Sequence, residues 1–188
     1  MSLKMLPNIL TVARIAAVVP LVWLMLIHSF GWAFVVAVVA GISDALDGYL
    51  ARRFTWQSHF GGWADPAADK LMMSASYVTL AYIEVLPMWV SALVIGKDVV
   101  ISAGALAYRW LFGRFKATPT RLSKFTTLLQ VILLWVVLIG LIGLPIPSPW
   151  LSGLIIVVGM LTALTLVQYV VIWSRRAWHQ HHEQGLVS

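Results

Sequence analysis

Four of the five aspartates in the chain, Asp44, Asp47, Asp65 and Asp69, fall within 26 positions. Asp44 and Asp47 are three apart and Asp65 and Asp69 four apart, so each pair shares one face of a helix. Carboxylates brought this close repel one another, and a charged side chain at the centre of a membrane span costs on the order of 3 kcal/mol. Divalent cations remove the repulsion. Hard oxygen donors, with no cysteine in the chain and no histidine pair nearby, favour Mg²⁺ or Mn²⁺ over zinc. Two such ions about 4 Å apart clamp a phosphoryl group during displacement. The plainer alternative is four solvated aspartates at helix ends with no task. Acidic residues inside or at the edge of a membrane are functional by default, which favours the metal reading.

The residues between the aspartates fit the same chemistry. Gly48 follows Asp47 on a helix, where glycine is disfavoured by about 1 kcal/mol relative to alanine; its use is to let a flat ligand approach the backbone. Ala51, one turn from Asp47, keeps that face open. Arg52 carries a guanidinium able to hold a phosphate in a two-pronged grip. Gly61 and Gly62 are expected in a loop, and Pro66 in the first turn of the next helix.

The elements that position these residues are membrane helices. Of 188 residues, 61% are hydrophobic and 11% charged, and mean hydropathy is +0.89. A soluble globular domain, a disordered chain and a secreted disulfide scaffold are thereby excluded. The formal net charge of +6 reflects Lys and Arg retained on the cytoplasmic side, so no nucleic-acid partner is expected. Ile15–Ser43 and Phe125–Ser174 contain no Asp, Glu, Lys or Arg, and the second run holds 50 residues. A span needs about 20 apolar residues, so this run is two spans, broken by Gly140, Gly143, Pro145, Pro147 and Pro149. The first run splits at His28–Gly31.

The expected fold is all-α and integral to the membrane. Its six transmembrane helices run roughly over Asn8–Ile27, Trp32–Arg53, Pro66–Ile83, Pro87–Phe112, Leu122–Ile142 and Trp150–Trp173, with Met1–Leu6 as a short interfacial segment. Residues 1–188 read as a single domain with no internal repeat and no cleavable signal peptide. Three connecting loops, about Ser29–Gly31, Glu84–Pro87 and Gly143–Trp150, hold no Lys or Arg, whereas the other ends carry Lys4, Arg14, Arg52, Arg53, Arg114, Lys116, Arg121, Lys124, Arg175 and Arg176. The positive-inside rule puts both termini and the carboxylate cluster on the cytoplasmic side.

The stretch Asp44-Ala-Leu-Asp47-Gly48-Tyr-Leu-Ala51-Arg52, then Gly61, Asp65 and Asp69, has the spacing D-x2-D-G-x2-A-R-x8-G-x3-D-x3-D. It resembles the signature of the CDP-alcohol phosphotransferase (class I CDP-alcohol phosphatidyltransferase) family at all eight fixed positions. The resemblance extends from about Pro7 to Gln130. It implies an enzyme with six membrane helices that displaces CMP from a CDP-linked lipid with an alcohol acceptor. It further implies a divalent metal pair on Asp44, Asp47 and Asp65 with Asp69 contributing, Asp69 also as general base, and nucleotide–diphosphate contacts at Gly48, Ala51, Arg52 and Gly61. Homodimerisation is implied in the same way, and a bacterial inner (plasma) membrane is the expected location.

Pro7-Asn8-Ile9-Leu10-Thr11 and Arg14 resemble the opening of family members that use CDP-diacylglycerol, which brings Asn8 and Thr11 to the lipid site. Arg14 shares their face and either lines the site or snorkels to the interface. Lys97-Asp98, and Ser123-Lys124 followed by Thr127 and Gln130, resemble segments of the CMP-forming, eukaryotic-type cardiolipin synthases. Phosphatidylglycerophosphate synthases resemble the chain less: Asp98 stands where they carry Glu, Ser123 where they carry Gly and Thr126 where they carry a second Lys. The acceptor expected is therefore phosphatidylglycerol, giving cardiolipin, with glycerol 3-phosphate as the alternative. Lys97, Arg121 and Lys124 are the candidate acceptor contacts. Lys97 has a plain alternative as a structural buried ion pair, although adjacent residues point about 100° apart, so Lys97 and Asp98 need not pair with each other. A reading of another class, a small membrane ion transporter, also uses clustered aspartates, but four acids at one membrane face make no through-path. The histidines 179, 181 and 182 read as a solvated basic tail.

Overall fold

The computed structural model describes residues 6–53, 61–112 and 120–185. Among them are six helices and no strand: α1 (Leu6–Leu26), α2 (Phe30–Arg53), α3 (Gly61–Tyr82), α4 (Met88–Phe112), α5 (Arg121–Leu141) and α6 (Ser148–Gly185). The all-helical expectation holds. The interfacial segment expected at Met1–Leu6 lies outside the described residues, apart from Leu6. Among the described residues, three of the six expected spans are long and apolar enough to cross a membrane: Met88–Ala107, Arg121–Leu141 and Ser148–Arg175. Thr11–Leu26 and Phe30–Asp44 are shorter apolar helices.

Two ends depart from the sequence reading. α3 begins at Gly61, so Gly61 and Gly62 are helical rather than in a loop, and Pro66 falls in the second turn. Proline only biases a boundary, and here the helix starts upstream of it. α6 continues twelve residues past Trp173, to Gly185. The loss of hydropathy after Trp173 marks where an apolar segment stops, whereas the helix itself meets no glycine or proline until Gly185. The tail histidines are therefore on α6.

Three helix ends close in the same way. His28 and Glu84 have φ of +58° and +60°, and Gly143 has +98°. At each, the backbone N–H of that residue and the next reach back to carbonyls three and five residues earlier: His28 to Met25 and Ser29 to Leu24, Glu84 to Ala81 and Val85 to Leu80, Gly143 to Gly140 and Leu144 to Ile139. These are Schellman caps, which satisfy carbonyls that a helix end leaves open. At the other kind of end, the Thr120 hydroxyl accepts the Ser123 N–H at 3.1 Å and caps α5.

The chain forms two compact units, residues 1–91 with 134–147 and residues 92–133 with 148–188. In the first, α1 packs on both α2 and α3. α2 contributes a buried small-residue stripe, Ala33, Ala37 and Ala40, which suits close helix approach. Leu21, Met25, Tyr77, Leu80 and Leu138 fill its core, and the Ser91 hydroxyl donates to the Tyr77 carbonyl at 2.9 Å, fixing the start of α4 on α3. In the second unit, α4, α5 and α6 are joined by buried polar side chains, described below. Many large apolar side chains point outward, among them Val19, Val39, Leu128 and Val170, as hydrocarbon surroundings allow and water would penalise.

Candidate functional site

The site in the first unit is organised by Arg14. Its side chain is 2% exposed, and Nη1 lies 2.7 Å from Asp44 Oδ1 and 3.2 Å from Asp69 Oδ1. Asp44 comes from the C-terminal half of α2 and Asp69 from α3, so one guanidinium nitrogen ties three helices together. α1 can deliver Arg14 there because it packs on both partners. The two carboxylate side chains keep 45% and 50% of their surface exposed, so the pair faces outward while the cation behind it is buried. Of the two readings open for Arg14, lining the site or snorkelling to the interface, its buried contacts with Asp44 and Asp69 match the first. Spacing along one chain carried no signal for this link, because the three residues lie on separate helices.

Thr11, one turn before Arg14 on the same face of α1, is fully buried. Asn8 is on α1, Asp47, Gly48, Ala51 and Arg52 on α2, and Gly61 and Asp65 on α3; their side chains lie outside those described. Asp47 and Asp65 are one turn from Asp44 and Asp69 on the same helices, so all four aspartates belong to two helices that both pack on α1. Among the described residues no group of three or more potential ligands is assembled. Two half-exposed carboxylates, Asp44 from α2 and Asp69 from α3, meet on Arg14 Nη1, and carboxylate oxygens are donors of the kind Mg²⁺ and Mn²⁺ take.

An apolar cleft of about 330 Å³ runs between α1 and α2, walled by Ala17, Pro20, Val36 and Val39 and ending at Arg14. A polar end on an apolar channel has the character of an amphiphile's binding surface.

The second unit holds the other candidates. Lys97 is 1% exposed. Its ammonium donates to Gln130 Oε1 at 2.8 Å and to Thr127 Oγ1 at 3.4 Å, and stands 3.4 Å from Asp98 Oδ1. Neighbours in sequence do pair here, because a long lysine stem reaches round the helix. The contacts also join the two sequence segments singled out above, the Lys97-Asp98 step on α4 and the Thr127 and Gln130 positions on α5. Gln130 Nε2 donates on to the Thr162 hydroxyl at 2.9 Å, which donates to the Val158 carbonyl at 2.7 Å. Thr165 likewise donates to the Leu161 carbonyl, so in its 2.9 Å contact with Thr126 the Thr126 hydroxyl is the donor. Thr126 is fully buried against α6. Arg121 and Lys124 are exposed on the first turn of α5, in contrast to buried Lys97.

Residues 4–174 match the CDP-alcohol phosphatidyltransferase family. The chain belongs to that family. A probable CMP-forming cardiolipin synthase of Drosophila melanogaster is 35% identical over 90% of this chain and 58% of its own length. The human CMP-forming cardiolipin synthase is also 35% identical, over 64% of this chain and 39% of its own. The chain thus spans little more than half, or less, of these two relatives. A CDP-diacylglycerol–glycerol-3-phosphate 3-phosphatidyltransferase of Pseudomonas fluorescens is 30% identical over 92% of this chain and 90% of its own length. The eight signature positions, Asp44 to Asp69, lie wholly within the matched region.

Proposed function

We propose that the protein is an integral-membrane phosphatidyltransferase of phospholipid synthesis that uses CDP-diacylglycerol, releases CMP and passes the phosphatidyl group to phosphatidylglycerol to give cardiolipin. The observation that carries the reading is the meeting of Asp44 and Asp69, from two helices, at one point beside an apolar cleft. Asp44, Asp47, Asp65 and Asp69 would hold two Mg²⁺ or Mn²⁺ ions. When bound, such ions neutralise the diphosphate and the charge that develops on the leaving group.

The remaining chemistry belongs to the chain. Asp69 accepts the proton of the acceptor hydroxyl. That oxygen bonds to the lipid-side phosphorus as the bond from this phosphorus to the bridging oxygen breaks, and the electron pair leaves with CMP. Arg52 grips the departing phosphate, while Gly48, Ala51 and Gly61 leave room for the nucleotide and Asn8 holds the lipid end, with the buried Thr11 one turn before Arg14 behind it. The proposal puts the site and both termini in the cytoplasm, in a bacterial inner membrane, with the chain acting as a homodimer. Arg121 and Lys124, exposed on the first turn of α5, are assigned to the acceptor, whereas Lys97, buried and held by Gln130 and Thr127, is read as the structural ion pair that was its plain alternative.

Glycerol 3-phosphate is the second acceptor to consider, because the Pseudomonas fluorescens relative matches over nearly its whole length. The deciding experiment offers phosphatidylglycerol and glycerol 3-phosphate in parallel to the purified enzyme with CDP-diacylglycerol. Cardiolipin as the product supports the proposal. Phosphatidylglycerophosphate without cardiolipin replaces the acceptor and leaves the phosphatidyl transfer intact.

A further inference from the structure

A cation shared between carboxylates of two helices is the arrangement a bridging metal ion creates, and here Arg14 supplies it with a single positive charge. The guanidinium is buried, and the carboxylates it touches are half exposed. It therefore neutralises Asp44 and Asp69 from the protein side while leaving their outer side open. We propose that Arg14 is a built-in counter-cation, a positioning residue that holds α2 and α3 in register before metal binds and that opposes the metal electrostatically once it arrives. This rests on the metal reading of the same carboxylates.

Two effects of removing Arg14 follow, with opposite signs. The metal-free protein loses the charge that offsets carboxylate repulsion, so it becomes less stable. The carboxylates also lose a like-charged competitor of the metal, so divalent affinity rises. A purely structural arginine produces the first effect and not the second. Coupling between two sites of this kind typically changes affinity 5–150-fold, and about tenfold is expected for one unit charge separated from the metal by a carboxylate.

The test uses full-length protein in detergent, wild type beside Arg14→Gln, Arg14→Lys and the ligand control Asp44→Asn. Mn²⁺ binding is read from the spin-resonance signal of free Mn²⁺, and thermal unfolding is followed in EDTA and in Mn²⁺. Arg14→Gln should unfold at lower temperature than wild type in EDTA, bind Mn²⁺ about tenfold more tightly and recover much of its stability when Mn²⁺ is added. Arg14→Lys, which keeps the charge, should stay within about threefold of wild-type affinity. Equal or weaker Mn²⁺ affinity in Arg14→Gln overturns the proposal. So does an Arg14→Gln protein that cannot be recovered even from Mn²⁺-containing membranes, since the cation would then be irreplaceable by metal. If wild type and Asp44→Asn bind no Mn²⁺ alike, the metal reading itself fails, a result distinct from the failure of Arg14 alone.

Discussion

Replacing Gln130 by Leu cuts the polar chain that crosses the second unit, and the structure sets the size of the effect. Two hydrogen bonds disappear. One is the 2.8 Å bond accepted from the buried Lys97 ammonium, and bonds to charged groups contribute about 1.5–3 kcal/mol. The other is the 2.9 Å bond donated to Thr162. Neutral interhelical bonds in membranes average about 0.6 kcal/mol, and Thr162 still donates to the Val158 carbonyl, so this loss is small. Thr127 and Asp98 remain on Lys97 at 3.4 Å each and limit the damage. The expected destabilisation is about 2 kcal/mol, most of it from the charged bond. Lys97→Met should cost a similar amount, because the Gln130 carbonyl and Asp98 both lose their cation. The double variant loses that one bond once and not twice, so its cost should fall short of the summed single costs by at least about 1 kcal/mol. Equilibrium unfolding from mild into denaturing detergent measures all four proteins. Additivity within about 0.5 kcal/mol would show that Lys97 and Gln130 do not act as a buried pair, and would refute the reasoning.

Three further outcomes are expected. A Cβ on Gly104 would lie 2.6 Å from Trp173 Nε1 and 2.8 Å from its neighbouring ring carbons, so Gly104→Ala should destabilise by about 1–3 kcal/mol, and adding Trp173→Leu should relieve the loss in the same unfolding assay. Asp69→Asn should lower kcat by roughly 10²–10⁴-fold if it removes a general base, with a much smaller change in KM for CDP-diacylglycerol; steady-state kinetics that show the reverse would remove Asp69 from that role. In this cysteine-free chain, Ser148→Cys in sealed vesicles should react with impermeant thiol reagents only from the face opposite the cytoplasm, and labelling from the cytoplasmic side alone would overturn the orientation.

Much of the helical order was legible because the physics is local. Charge-free runs marked the apolar helices, and the Gly/Pro cluster from Gly140 to Pro149 marked the turn before α6. Where a boundary depended on backbone geometry it was less visible. His28 and Glu84 adopt left-handed conformations at helix ends, which non-glycine residues rarely signal in sequence. Pro66 read as a start although α3 opens five residues earlier. Polar continuation hid the far end of α6, since hydropathy reports on solvent and not on helicity. The site shows the same division. The aspartate signature was readable from spacing on two helices, but its tie to Arg14 depends on how α1 packs across α2 and α3. Helical geometry left open whether Lys97 and Asp98 pair with each other, and the flexible lysine stem brings them together. Nor does spacing show that Thr126 is sealed against Thr165.

In the proposed reaction the aspartates of α2 and α3 bind divalent ions to drive displacement of CMP. Release of CMP from CDP-diacylglycerol by the purified protein, with phosphatidylglycerol present, tests it most directly when measured after EDTA treatment and again after Mg²⁺ or Mn²⁺ is restored. No CMP is expected in EDTA, with recovery on adding either metal and no recovery in Asp44→Asn. Undiminished CMP release by the metal-stripped wild type would contradict it.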